Sequence, residues 1–288
     1  MTKQKLLELH EELSHAKNLE PSTKINAVFS ELVEIVQNTP PGQSKEILED
    51  EEIQTIKNSI RRMASEAESK LELFWTENAL KSSDIEQTLR SFPYYSNYKE
   101  MTDLEIETMK SCDVDFARKV LFVGSGPLPL SSIMMARTYG ISIDNLDSDE
   151  NACKHSKKIL ERLGLSHKID TIRGNVFEIN NFSAYQIIFI AALVGENEDE
   201  KKKIIDHVVS RSLKNTTIMM RSVSDLGVLL YPEVVLTSSK EIDLIQARET
   251  PKDIINTILV GKTAISPVLL SKPLSFLSTR LRDREAVY

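Results

Sequence analysis

The residues whose types and spacing suggest chemistry begin at position 120. Val120, Leu121, Phe122 and Val123 form a short apolar run that ends in Gly124-Ser125-Gly126-Pro127-Leu128-Pro129-Leu130. Glycines between a buried strand and a helix let the backbone turn sharply and let a ligand approach it closely. The exposed N–H groups of such a turn suit an anionic group. A dinucleotide needs a third glycine for close helix–strand packing, and here that position is Pro129, so the dinucleotide fingerprint is broken. A nucleoside ligand with a carboxylate in place of the pyrophosphate, such as S-adenosylmethionine, does not need the full pattern. A tight turn with no ligand gives the same string.

Asp147 closes the next apolar run, about twenty residues past the glycine turn. A carboxylate there can accept both ribose hydroxyls of a nucleoside. Asp149 competes for that role, and a solvated acid at a strand end is the alternative for both. Asn175 follows Gly174 at the end of a third run. Its amide is placed to meet an adenine edge or to form a turn.

These residues need a scaffold, and the chain reads in two regimes. Residues 1–115 read as helix after helix. Leu6, Leu7, Leu9 and Leu13 make one apolar stripe; Ile25, Val28, Phe29, Leu32, Val33 and Val36 make another at the three-and-four spacing. Pro21-Ser22-Thr23 reads as a helix start and Thr39-Pro40-Pro41-Gly42 as a stop. A third helix is expected over roughly 50–81, where the interior lacks Gly and Pro. From Lys119 short apolar runs alternate with helical stretches. Strands are expected at 120–124, 141–147, 169–173, 185–191 and 217–220, and helices at 150–163 and 204–213. Further strands near Val235 and at 258–260 would close the sheet. This alternation means βαβ units and a parallel sheet covered on both faces. The expected fold class is α/β: a Rossmann-like, methyltransferase-type doubly wound sheet over residues 116–288, with an all-helical N-terminal domain over 1–115. The stretch 274–288 is charged and has no readable period.

Composition narrows the class. With 41% hydrophobic and 27% charged residues, the chain is ordinary globular protein. Its net charge of −7 argues against a general affinity for nucleic acid or anionic membrane. Cys112 and Cys153 form no CxxC pair, and the five histidines show no zinc-ligand spacing, so no metal is expected. No run reaches the ~18 apolar residues of a membrane span. The charged, amphipathic start is unlike a secretory signal, so a cytoplasmic enzyme is the expectation.

Several strings resemble those of nicotianamine synthases. Phe122–Ser132 is similar to that family's glycine turn. Leu19–Val33, Glu66–Glu72, Phe92–Tyr98, Asn145–Asp149, Ala191–Gly195, Arg221-Ser222 and Leu230–Pro232 match further blocks in order. The resemblance implies a methyltransferase-like fold that cuts a different bond. An amine attacks the γ-carbon of the aminocarboxypropyl arm of S-adenosylmethionine, and methylthioadenosine leaves. Three donor molecules in the family reaction, with closure of an azetidine ring, give nicotianamine, a chelator of iron and other metals. The implied partners are S-adenosylmethionine as substrate, with no cofactor beyond it, and an amino-acid acceptor.

The resemblance also implies site roles. Gly124, Ser125, Gly126, Pro127, Asp147, Asn175 and Ala191 form the donor site. Glu72 takes the proton from the attacking amine and Tyr98 positions it; a phenol with a reference pKa of ~10 is a poor lone base at neutral pH. Glu68 lies one helical turn before Glu72, so both project from one face. It would hold a substrate ammonium or raise the pKa of Glu72. Read without the resemblance, both are surface acids on a charged helix. Tyr94, Tyr95 and Tyr98 are packing aromatics or a wall that shields the sulfonium. Arg221, at a strand end, pairs with a substrate carboxylate or is structural, and Tyr231 shapes the pocket. Family members usually carry Arg six residues after the position of Arg221, whereas this chain has Gly227. That departure points to a different acceptor or fewer transfers. The competing readings are a conventional methyltransferase, which would release adenosylhomocysteine, and a non-catalytic nucleoside-binding protein.

Overall fold

A computed structural model describes residues 2–116, 119–236 and 241–264. The stretch 274–288 lies outside the described residues. The N-terminal helices are α1 (Thr2–Ser14), α2 (Thr23–Asn38), α3 (Pro41–Leu48), α4 (Glu51–Lys81), α5 (Ile85–Arg90) and α6 (Tyr95–Ser111). The stop at Thr39-Pro40 is real, but Pro41 also opens α3, because a proline at the first helical position loses no helical hydrogen bond. Asp50 caps α4 by accepting from the backbone N–H groups of Glu52 and Ile53. Without an internal Gly or Pro, α4 then runs for 31 residues.

The sheet has seven strands among the described residues: β1 (Val120–Val123), β2 (Ile143–Asp147), β3 (Ile169–Arg173), β4 (Ile187–Ile190), β5 (Thr217–Ser222), β6 (Ile242–Arg248) and β7 (Thr257–Thr263). Their order is β3-β2-β1-β4-β5-β7-β6. The first five are parallel, and β7 and β6 add antiparallel at one edge. Side chains alternate along the buried strands. Val120 and Phe122 face one core with Phe189 and Met219; Leu121 and Val123 face another with Ile188 and Ile218. Helices α7 (Leu130–Tyr139) and α8 (Glu150–Arg162) cover the first face, and α9 (Glu198–Ser210) the second.

Two expectations are corrected. The chain near Val235 is not a strand; the added strand is β6, seven residues further on, and it pairs with β7 as a hairpin. A hairpin needs no crossover helix, which is why this end of the sheet is antiparallel. Helix α9 starts at Glu198 rather than Ile204, because the Asn197 side chain caps it by accepting from the N–H of Glu200.

The helical segment does not stand apart from the sheet. Leu226, Leu229 and Leu230, just after β5, share a core with α1, α2 and the first half of α4. Buried Arg61 of α4 reaches both Glu198 oxygens, at 3.0 and 2.8 Å, and donates to the Val228 carbonyl at 3.1 Å. Against the burial that pushes it up, these hydrogen bonds hold the Glu198 carboxyl at about 2. The second half of α4 thereby lies across the carboxyl ends of the parallel strands.

Candidate active site

Chain order reverses on either side of β1, which pairs with β2 on one side and β4 on the other. Ligands of open α/β sheets bind outside the strand ends at such a switch point. The glycine turn sits there. Gly124 and Gly126 have φ of 80° and 66°, the left-handed region that side chains rarely adopt. A Cβ on Gly126 would lie 2.5 Å from Oε2 of Glu72, so this glycine lets the turn pass directly under the α4 carboxylate. The N–H of Gly126 donates to Asp147 at 2.8 Å, and the N–H of Asp149 donates to the other Asp147 oxygen at 2.9 Å. Burial raises the Asp147 carboxyl, against these backbone hydrogen bonds. Asp149 is otherwise occupied: its side chain caps α8 through the N–H of Ala152.

A cavity of about 830 Å³ runs from this turn to the helical segment. Glu72 projects into it from α4, only 9% exposed. Tyr98 of α6 donates to Oε1 of Glu72 at 2.7 Å and reaches Glu68 at 3.5 Å. Tyr231 donates to the other Glu68 oxygen at 3.0 Å. Burial pushes the Glu72 carboxyl well above the usual carboxylate range, and the neighbouring charge of Glu68 adds to it. Burial likewise raises Glu68. Tyr98 is pushed well up by burial and then by Glu72 and Glu68, so it stays a phenol and acts as a donor. The Glu68–Glu72 pair therefore sits poised to hold a proton or a cation, with two phenols fixing its geometry.

Arg221, one residue before the end of β5, lines the same cavity, 7% exposed. Glu105 of α6 takes two of its nitrogens, at 2.7 and 3.1 Å, and Ser131 accepts a further bond at 2.8 Å. The predicted carboxylate receiver is thus already paired with an internal acid. Its guanidinium carbon also stands 5.7 Å over the Phe122 ring.

The remaining expected residues divide. Ser125, Pro127, Ala191 and Tyr94 line the cavity, and the Ser125 hydroxyl is buried with no hydrogen-bond partner. Asn175 lines it too, but its side-chain oxygen is committed to the N–H of Phe177 in a capping box with Glu178. Tyr95, the first residue of α6, does not line it and packs partly buried against the core. Gly227 lies in a short helical turn where a Cβ would press on Val223 at 3.0 Å and Ile255 at 3.2 Å, and it does not line the cavity.

Among the buried charges that sequence reasoning missed, two bear on this cavity. Glu105 lies on the inner face of α6 with Met101, Ile106 and Met109. Lys201, fully buried, donates to the carbonyls of Ala192 and Arg221 at 2.7 and 3.0 Å and reaches that of Ala191 at 3.4 Å. Burial, with Arg61 and Arg221 nearby, pushes its ammonium down to about 7. It ties together the ends of β4 and β5 that form the cavity wall. The available signal was the same for both: a charged residue inside an apolar helical stripe, here Lys201 ahead of Ile204, Ile205 and Val208. Among the described residues no group of three or more His, Cys, Asp or Glu is arranged to hold a metal ion, and no helix is long and apolar enough to cross a membrane.

Comparison with known proteins places the chain among relatives. A family model described as nicotianamine synthase protein matches residues 1–268. The chain is 26% identical over 263 residues to nicotianamine synthase of Solanum lycopersicum, covering 90% of this chain and 82% of the relative. It is 27% identical over 274 residues to nicotianamine synthase 1 of Arabidopsis thaliana, covering 91% and 84%. Among solved structures it is similar to MtNAS in complex with MTA and tNA, with a TM-score of 0.78, 22% identity and coverage of 91% and 97%. It is also similar to a point mutant of MtNAS in complex with S-adenosylmethionine, with a TM-score of 0.76, 21% identity and coverage of 91% and 98%. At these identities the two structures show a shared fold.

Proposed function

The chain belongs to the nicotianamine synthase family, enzymes that take S-adenosylmethionine as substrate, and on that premise we propose how its residues carry out the transfer. An amine lone pair attacks the γ-carbon of the donor's aminocarboxypropyl arm. The carbon–sulfur bond breaks, its electron pair stays on sulfur, and neutral methylthioadenosine leaves. The proton of the attacking amine passes to Glu72. Repetition with three donors gives nicotianamine or a closely related metal chelator. The donor site of this proposal comprises Gly124, Ser125, Gly126, Pro127, Asp147, Asn175 and Ala191, which line the cavity. Glu68 holds an ammonium, Tyr94 and Tyr231 wall the site, and Arg221 meets one carboxylate with the part of its guanidinium that Glu105 leaves.

One observation carries this reading: Tyr98 is bonded to Glu72 at 2.7 Å, directly above the glycine turn. A sulfonium is a good leaving group already, so the enzyme must supply orientation and a deprotonated amine. A buried carboxylate with a raised pKa, aimed by a phenol, supplies both. The helical segment, residues 1–115, acts as a cap on the sheet-bearing part, residues 116–288, and excludes water. The free thiols of Cys112 and Cys153 suit a cytoplasmic enzyme.

Mass spectrometry of purified protein incubated with S-adenosylmethionine tests the reaction. Methylthioadenosine with a condensed product is expected, whereas adenosylhomocysteine would mean methyl transfer. Replacing Asp147 by Ala is expected to weaken donor binding in calorimetry by roughly 100-fold, the loss of two charge-assisted hydrogen bonds. Unchanged affinity would remove Asp147 from the donor site.

A further inference from the structure

Lys201 takes no part in the transfer described above, yet it is fully buried and its ammonium is bonded to the backbone of the cavity wall. The chain leaves β4 at Ile190 and enters α9 at Glu198. Between them Ala191, Ala192, Leu193, Val194 and Gly195 line the cavity. This loop rests on the glycine turn. The N–H of Ala191 donates to the Val123 carbonyl at 3.1 Å. A Cβ on Gly124 would collide with Cγ2 of Val194 and lie 3.5 Å from Cβ of Ala191, so a glycine is needed for the two segments to pass this closely.

The first turn of α9 stands against the same loop. Gly195, at φ 84°, approaches it so closely that a Cβ would lie 2.7 Å from the backbone nitrogen of Lys201. The N–H of Glu196 donates to the Glu200 carboxylate at 2.8 Å. The Lys201 ammonium donates to the Ala192 carbonyl at 2.7 Å and reaches that of Ala191 at 3.4 Å. Its third partner, the Arg221 carbonyl at 3.0 Å, belongs to the neighbouring strand β5. An ammonium has three N–H groups, and three carbonyls meet them here. Hydrogen bonds from a charged donor are stronger than neutral ones, and an apolar side chain in this place would take them from the loop and the strand together.

We propose that Lys201 is a positioning residue for the donor site: its ammonium clamps the 191–195 loop against the glycine turn and fixes the backbone from which Arg221 projects. This rests on the donor site proposed above and adds to it a residue that touches no substrate. Two effects compete when Lys201 is replaced. Removing a cation close to a site for a cationic sulfonium favours binding by itself. Losing the clamp lets the loop leave the turn and disfavours it. The sign of the change in affinity tells the two apart, and the clamp predicts a loss.

Lys201→Met keeps a long side chain and removes the donors. Well below its unfolding temperature it is expected to bind S-adenosylmethionine roughly tenfold more weakly in calorimetry. Its amides over 191–197 are expected to exchange with deuterium roughly tenfold faster than in the unaltered protein. Lys201→Gln returns two N–H donors at a shorter reach, so it should recover part of both losses and bind the donor roughly threefold more weakly than the unaltered protein. It also carries the test if Lys201→Met does not fold. Val208→Ala is the comparison for a purely structural loss, because Val208 is buried two turns further along α9 against the sheet. That variant should lose thermal stability and keep both donor affinity and loop exchange. Unchanged or tighter donor binding by folded Lys201→Met overturns the proposal, as does unchanged exchange of the loop or a loss of affinity that Val208→Ala reproduces. An unaltered protein that binds no S-adenosylmethionine fails the donor-site reading itself, and the proposal falls with it.

Discussion

Glu72→Gln is expected to lower methylthioadenosine formation by roughly a thousandfold while S-adenosylmethionine binding stays within about threefold. Glutamine keeps the shape of the side chain and still accepts the Tyr98 hydrogen bond, but it cannot take a proton. The loss should therefore fall on kcat, and calorimetry of donor binding separates it from a binding defect. The pH profile gives an independent reading. A base works only when deprotonated, so activity rises as pH passes its pKa from below. Burial and the charge of Glu68 raise the Glu72 carboxyl well above the usual range. The acid limb of kcat/KM, which reports the free enzyme, should accordingly lie at higher pH than an ordinary carboxylate gives, and it should vanish in Glu72→Gln. Full turnover by this variant, or an acid limb that survives in it, would falsify the assignment of Glu72 as the base.

The second large effect is expected from Gly126→Ala. Its Cβ would stand 2.5 Å from Oε2 of Glu72, and at φ 66° any side chain is strained. The left-handed conformation alone costs about 1–2 kcal/mol. The collision adds to it by driving the Glu72 carboxylate off Tyr98 or by tilting the turn away from Asp147. Both donor affinity and turnover should fall, affinity by roughly tenfold or more and turnover toward the level of Glu72→Gln. Gly140→Ala is the control. That residue closes α7 at φ 69° with open space around it, so it carries the same backbone strain without the collision. It should lose some thermal stability and keep its activity. Equal behaviour of the two variants would show that strain, rather than the contact with Glu72, accounts for the first.

The two predictions differ in the link they probe. Glu72→Gln changes chemistry on an unchanged frame, whereas Gly126→Ala changes the distance between the helical cap and the glycine turn. If both hold, catalysis depends on α4 lying within van der Waals reach of the first strand's turn. The bidentate Arg61–Glu198 contact and the shared core around Leu226 and Leu229 keep it there.

The order of the five parallel strands, the glycine turn and the acid at the end of β2 were readable from the sequence because each leaves a local signature, whereas the antiparallel edge strand β6 was not. Apolar runs repeat with period two or 3.6, caps precede helices, and glycine marks a turn that no other residue makes cheaply. Glu72 and Tyr98 were readable only through the resemblance, since an acid on a long charged helix carries no local mark of burial. The tertiary structure alone decided which charges meet. Arg221 finds Glu105 across 116 residues of chain, and Lys201 gathers carbonyls from two strands. It also turned Tyr95 away from the cavity while bringing Tyr231 onto Glu68. The physical reason is that periodicity fixes which face of an element is apolar, but the partner of a buried polar group depends on how the elements cross. That crossing follows from packing over the whole chain, and no short window of sequence contains it.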